Sequence, residues 1–226
     1  MARRPRQAYG GEIYHAINRG NCRMRIFTKA GDYLAFLKLL EEGRQRTGMR
    51  ILAYCLMPNH WHLVLWPAKA DDLSAFIGWV CSTHVRRWRE HRDNVGEGHL
   101  YQGRFKSFPV QQGPPLYRVL SYVEGNARRA KRVEQAQAWR YGSLYTGERQ
   151  AEQQVQLTPW PVPRPGDWTA QVNRGIAEAE LNRLRLHILR GRPFGSAAWT
   201  DQAARRMGLE SSLRDRGRPR KKQDKQ

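Results

Sequence analysis

Two β-rich runs, RILAYCLMP (50 to 58) and HWHLVLWP (60 to 67), are separated at Pro58-Asn59, and the second opens with two histidines one residue apart. Side chains at i and i+2 of a strand point to the same side, about 7 Å apart along the backbone. His60 and His62 therefore face one way together, while Trp61 faces the other way and packs under helices. Two neutral imidazoles converging from one strand supply half of a divalent-metal site. Strand histidines that are merely half exposed are the alternative reading of the same pair.

The flanking pattern builds a sheet around that strand. EIYHAINRGN (12 to 21) alternates and then turns at Asn-Arg-Gly-Asn, a strand running into a turn. Residues 30 to 47 carry Leu34, Leu37 and Leu40 on one side, and Gly48 supplies a stop, which predicts an amphipathic helix. Asp71 and Asp72 open a long helix whose acidic first turn and basic last turn suit the helix dipole. GRFKSFPVQQ (103 to 112) reads as a further strand, and 116 to 133 as a helix by the spacing of Leu116, Val119, Leu120 and Val123. The order matches a ferredoxin-like, split β-α-β fold of the α+β class, an antiparallel sheet with helices on one face, over residues 1 to 145. Residues 146 to 166 carry Pro159, Pro161, Pro163 and Pro165 in alternation and predict a stiff, extended linker. A helical extension follows over 167 to 210, with helices at 167 to 190 and 197 to 208. GSAAWTDQAARRMGLESSL within it has the form of half a helix-turn-helix. The last stretch, 211 to 226, is too polar to fold alone and reads as a disordered basic tail.

Charge narrows the partner. Forty Lys plus Arg against 20 Asp plus Glu give a net charge of +20, which calls for a polyanion, nucleic acid first. A basic membrane binder needs an amphipathic helix or lipid anchor, and neither terminus offers one. No apolar stretch approaches the roughly 20 residues of a membrane span, and no hydrophobic segment follows Arg3, Arg4 and Arg6, so the expected location is the cytoplasm. Cys22, Cys55 and Cys81 are scattered and form no C-x-x-C pair, the pattern of reduced, buried thiols.

A partner for the histidines is found in SYVEGNARRA. Tyr122 and Asn126 lie four apart and share a helix face; the amide oxygen of Asn126 can serve a hard metal, and the phenol of Tyr122 can serve as nucleophile. Tyr117 is the rival phenol, but it projects about 140° away round the helix, so one of the two points elsewhere. YHAINRGN, MPNHWHLVLWP, YQGRFKSFPV and YVEGNARRA, in that order and spacing, resemble the REP-associated tyrosine transposases, a branch of the IS200-like single-tyrosine HUH transposases. The resemblance covers residues 9 to 145, and RGRPFGSAAW with GLESSLRDRGRPRK resembles a C-terminal extension of some members. It implies that His60 and His62 are metal ligands, Asn126 the third protein ligand and Tyr122 the nucleophile. Family members commonly have proline after this asparagine, whereas Ala127 follows here. Gly125 costs about 1 kcal/mol inside a helix; it either opens access to Tyr122 or marks fraying.

The implied activity is a metal-dependent transposase that cleaves and rejoins single-stranded DNA at palindromic hairpins through a 5′-phosphotyrosine, with Mg²⁺ or Mn²⁺ as cofactor. The partner is DNA, with the protein acting as a monomer or a homodimer. Arg104, Lys106, Arg128 and Arg129 cluster near this site in sequence and suit phosphates. Arg216, Arg218 and Arg220 form a hook-like basic motif suited to the minor groove. Tyr101 and Phe105 could stack bases, core packing being the alternative. Two rival readings stand beside this one: a catalytically silent regulator that keeps hairpin recognition, and a phosphoesterase that uses water.

Overall fold

A computed structural model describes residues 8–93, 98–148 and 155–214. The elements run β1 (Ile13–Arg19), α1 (Ala30–Thr47), β2 (Arg50–Met57), β3 (His60–Trp66), α2 (Asp72–Glu90), β4 (Lys106–Val110), α3 (Pro114–Glu124), α4 (Asn126–Arg129), α5 (Trp168–Arg174), α6 (Glu178–Arg190) and α7 (Ala197–Arg206). All four strands form one antiparallel sheet in the order β2-β3-β1-β4. The α+β class and antiparallel sheet expected from the sequence are what the fold shows.

Local chemistry sets the helix ends. Asp32 accepts the backbone N–H of Thr28 at 2.7 Å, and Asp72 accepts that of Lys69 at 2.7 Å, so each carboxylate ties down the chain entering its helix. Gly48 closes α1 at φ 68°, a left-handed cap that glycine adopts without Cβ strain. The helix expected over 116 to 133 is interrupted. Gly125 leaves the helical conformation at φ −82°, ψ 2°, and Lys131 takes φ 53°, which stops α4 after one turn. Gly175, at φ 86°, likewise divides the helix expected over 167 to 190. After α7 the chain enters a short 3-10 turn at Glu210–Ser212, so the segment read as half a helix-turn-helix holds one α-helix and that turn, with α6 preceding it. Cys55 is buried as expected, Cys22 is exposed, and all three cysteines are free.

The pleat sorts the sheet into two cores. Tyr14, Ala16, Tyr54, Leu56, Trp61, Leu63 and Leu65 pack with Phe36 and Leu40 of α1 and with Phe76 and Val80 of α2. The other face, with Ile13, Cys55, Val64, Phe108 and Val110, packs against Leu116, Leu120 and Val123 of α3 and against Trp168, Leu184 and Phe194. Helices thus cover the second face as well as the first. An irregularity in the pairing between Ile51 and Ala53 lets both Leu52 and Ala53 join the second core, as a bulge shifts the alternation by one.

Both sheet edges are occupied. Along β2, Leu56 N–H donates to Tyr141 O at 2.9 Å and Ile51 O accepts from Thr158 N–H at 2.8 Å. Along β4, Phe194 N–H donates to Pro109 O and Gln111 N–H to Phe194 O, each at 2.9 Å. Covered edges remove the template for strand addition from another chain.

Glu124 anchors the second helical layer. Its buried carboxyl accepts Trp168 Nε1–H at 2.6 Å and Ser143 Oγ–H at 2.7 Å, and burial pushes its pKa up. Removing it leaves one buried and one half-buried donor unpaired, so Glu124→Ala is expected to cost about 3 kcal/mol of stability in urea unfolding and Glu124→Gln about 1 kcal/mol or less. Equal losses in the two variants would contradict this account.

Candidate active site

The β3 pleat sets His60 and His62 on the α3 side of the sheet with ring centroids 5.0 Å apart. Trp61 lies on the opposite face, fully buried, and donates its Nε1–H to Tyr101 Oη at 3.1 Å. Tyr101 is therefore a core residue rather than a platform for bases, and Phe105 packs against the same core. His60 Nδ1 meets Asn59 Oδ1 at 2.6 Å; a carboxamide oxygen only accepts, so the ring proton is on Nδ1 and Nε2 keeps a bare lone pair. His62 Nδ1 lies 2.8 Å from Nε2 of His15, a third imidazole arriving from β1.

Desolvation keeps these rings neutral. Burial, reinforced by the nearby Arg19 and Arg129 charges, lowers the pKa of His60 to about 4. Burial lowers that of His15 to about 3 and, with the neighbouring imidazoles and arginines, drives that of His62 well below the ordinary value. A neutral imidazole is the form that can bind a cation.

From the other side, α3 seats Leu116, Val119, Leu120 and Val123 on the sheet and thereby holds Tyr122 edge-on to His62, ring centroids 5.5 Å apart. Arg129 stacks over the Tyr122 ring at 4.2 Å and donates to the Tyr122 carbonyl at 3.0 Å. Tyr117 points elsewhere, its hydroxyl donating to Pro163 O and its ring lying 6.1 Å from Trp168. Asn126, at the head of α4, is 7% exposed.

His60, His62, Tyr122 and Asn126 line one cavity of about 740 Å³, together with Arg19, Arg104, Lys106, Arg129 and Arg185. None of its lining residues is acidic, so the cleft focuses positive potential. Arg128, grouped with these in sequence, instead donates to Glu134 O and is not among the lining residues. Arg216, Arg218 and Arg220 lie outside the described residues. Sequence reasoning passed over three participants. Arg19 and His15 stood in the quoted YHAINRGN segment and were recoverable from the strand period; Arg185 comes from α6, where no local pattern marks it.

Among the described residues no group of three or more His, Cys, Asp or Glu has metal-holding geometry. A divalent ion here would rest on the two imidazoles and the Asn126 amide oxygen, with substrate oxygens completing its shell. The donor chemistry fits: two neutral rings and one hard oxygen, with His62 backed by His15.

Fold and cleft together define an antiparallel α+β domain that presents an imidazole pair and a phenol to one cationic cavity. The family model of IS200-like transposases matches residues 10–126, a little more than half the chain and a span containing His60, His62, Tyr122 and Asn126, and the chain belongs to that family. A solved structure described as a REP-associated tyrosine transposase bound to a REP hairpin is similar with TM-score 0.50 and 16% identity, covering 73% of this chain and 98% of that one; at this identity it speaks to the fold. A crystal structure of a Deinococcus radiodurans protein, its transposase assignment provisional, is similar with TM-score 0.38 and 15% identity over 58% of this chain and 96% of that one. No curated protein matches. No helix among the described residues is long and apolar enough to cross a membrane.

The buried imidazoles make stability depend on acid. His15, His60 and His84 hold pKa values lowered to about 3, 4 and 3, whereas an unfolded histidine titrates near 6.5. The unfolded chain therefore binds more protons between these limits, and stability is full above about pH 6.5 and falls as pH drops toward 4. Urea midpoints measured at pH 7.5, 6 and 5 are expected to decrease in that order; an unchanged midpoint would contradict the neutral burial of these rings.

Proposed function

We propose that this protein cleaves and rejoins single-stranded DNA by attack of Tyr122 on a phosphodiester, the cation-binding role falling to His60, His62 and Asn126. The observation that carries the reading is the placement of the Tyr122 ring 5.5 Å from His62 in a cleft lined by five basic side chains. In the forward step the Tyr122 oxygen bonds to phosphorus, the bond from phosphorus to the 3′-oxygen breaks, the phenol proton is lost, and the departing 3′-oxygen takes up a proton. The products are a 5′-phosphotyrosine and a free 3′-hydroxyl. Reversal by a 3′-hydroxyl rejoins the strand without ATP, because the covalent link conserves the phosphodiester. Mg²⁺ or Mn²⁺, when bound, polarises the scissile phosphate as a Lewis acid. Arg19, Arg104 and Lys106 suit the phosphates on either side, and Arg129 fixes the nucleophile by stacking on its ring.

The similar solved structure carries a REP hairpin, which supports a palindromic hairpin as substrate here. Tyr122 stands beside the imidazoles of its own chain and both sheet edges are occupied, which supports a complete site within a monomer. Arg185 brings the C-terminal extension into the cleft and supports a DNA contact from that region. A cytoplasmic location accords with this function.

Incubation with labelled hairpin DNA and Mn²⁺ is expected to yield an SDS-resistant adduct that is absent in Tyr122→Phe. Cleavage surviving in Tyr122→Phe would favour the water-using phosphoesterase, and tight binding without an adduct in the wild-type protein would favour the silent regulator. Electrostatics offers a second check: Arg104→Ala and Lys106→Ala are each expected to reduce the slope of log binding constant against log salt by about 0.7 on single-stranded DNA. Arg128→Ala is expected to change it less, and an equal change would contradict the cleft as the strand's path.

A further inference from the structure

His15 forms its contact with His62 deep in the sheet, where each ring is 1% exposed. It arrives from β1 two residues from the direct partner, since Ile17 pairs with His62 and His15 with Val64, so the two rings meet diagonally on one face. Their nitrogens are 2.8 Å apart, yet His15 Nδ1 has no hydrogen-bond partner. Phe108, 5.0 Å away, and Tyr122, 6.2 Å away, pack around His15.

A single proton can lie between the two facing nitrogens, which allows two arrangements. In one, His15 Nε2–H donates to His62 Nδ1; His62 then carries its proton on Nε2, and the orphaned His15 Nδ1 is a bare lone pair. In the other, His62 Nδ1–H donates to His15 Nε2; His62 Nε2 is then free to bind a cation, and the orphaned His15 Nδ1 carries a proton. A buried N–H without an acceptor is the costlier orphan, so the first arrangement is preferred when no cation is bound. A cation needs the lone pair of His62 and so demands the second.

We propose that His15 is a positioning residue that sets the tautomer of His62, and that cation capture switches both rings together from Nε2–H to Nδ1–H. Each ring holds one proton before and after, so the switch neither consumes nor releases one. The inference rests on the cation-binding role given above to His60 and His62. His15 here occupies the place that a carboxylate or carbonyl more commonly takes behind a metal-binding histidine. A carboxylate favours the ligating tautomer permanently; an imidazole with a second, unpaired nitrogen makes that tautomer conditional on the ion.

Two measurements test this on the full chain. In ¹⁵N-histidine-labelled wild-type protein, long-range ¹H–¹⁵N correlation spectra are expected to show His15 and His62 as Nε2–H without metal and as Nδ1–H with Zn²⁺, the diamagnetic probe. The same tautomer in both states would overturn the switch. Mn²⁺ affinity, read from free-ion electron paramagnetic resonance, is expected to fall about 10- to 100-fold in His15→Phe and to recover most of that loss in His15→Gln, whose amide oxygen can accept the His62 proton. Wild-type affinity in His15→Phe overturns the proposal, and so does an equal loss in both variants, which marks His15 as packing alone. Binding lost in His60→Ala but unchanged in His15→Phe sinks this inference alone; no Mn²⁺ binding by the wild-type protein sinks the cation reading with it.

Discussion

The antiparallel register of β1 against β3, with Ile17 opposite His62 and Asn18 opposite Trp61, is the constraint on which the site depends. Side chains alternate between faces, so a slip of one residue in β3 would carry His60 and His62 into the core under α1 and α2 and expose Trp61. The slip is opposed by the full burial of Trp61, Leu63 and Leu65 on the first face and Val64 on the second. Large apolar groups hold the strand in place, and the imidazoles inherit their position from that packing. The hydrogen bond from Trp61 to Tyr101, which also meets His84 Nδ1 at 2.6 Å, adds a directional lock to the same face.

Electrostatics then divides labour within the cleft. Desolvation keeps the three imidazoles neutral, while arginines and a lysine surround them in a cleft without acidic lining. A cationic cleft without acidic lining suits phosphate, and the neutral imidazole is the form that would hold a cation beside it. Arg129 belongs to both groups: its partial burial against the Tyr122 ring lowers its pKa from the usual value, and its contact with the Tyr122 carbonyl joins α4 to α3 across the break at Gly125. The interruption of the helix therefore brings Asn126 and Arg129 around the phenol instead of letting the chain run on past it.

Much of this was legible in the sequence because it is local. The leucine spacing and Gly48 delimited α1, the period of two separated His60 and His62 from Trp61, and the helical angle between Tyr117 and Tyr122 required the two phenols to diverge. The remainder depends on contacts between distant segments. Nothing in the proline-rich stretch announces that Thr158 pairs with the β2 edge, nor does the pattern of α6 mark Arg185 as a cleft residue. The second helical layer escaped for the same reason, since Ile13, Cys55, Val64, Phe108 and Val110 share the second face with polar residues and alternation alone cannot say what covers it. The Gly125 break escaped because one glycine in a helical pattern is compatible with either continuation or interruption.

Covalent capture at a single phenol is the central claim, and it is read most directly by identifying the modified residue. After incubation with hairpin DNA and Mn²⁺, nuclease trimming and proteolysis, mass spectrometry should find the residual 5′-phosphonucleotide on the peptide containing Tyr122 and fragment it to that side chain. A nucleotide mass on Tyr117 or any other residue, or cleaved DNA with no modified peptide, would contradict the account.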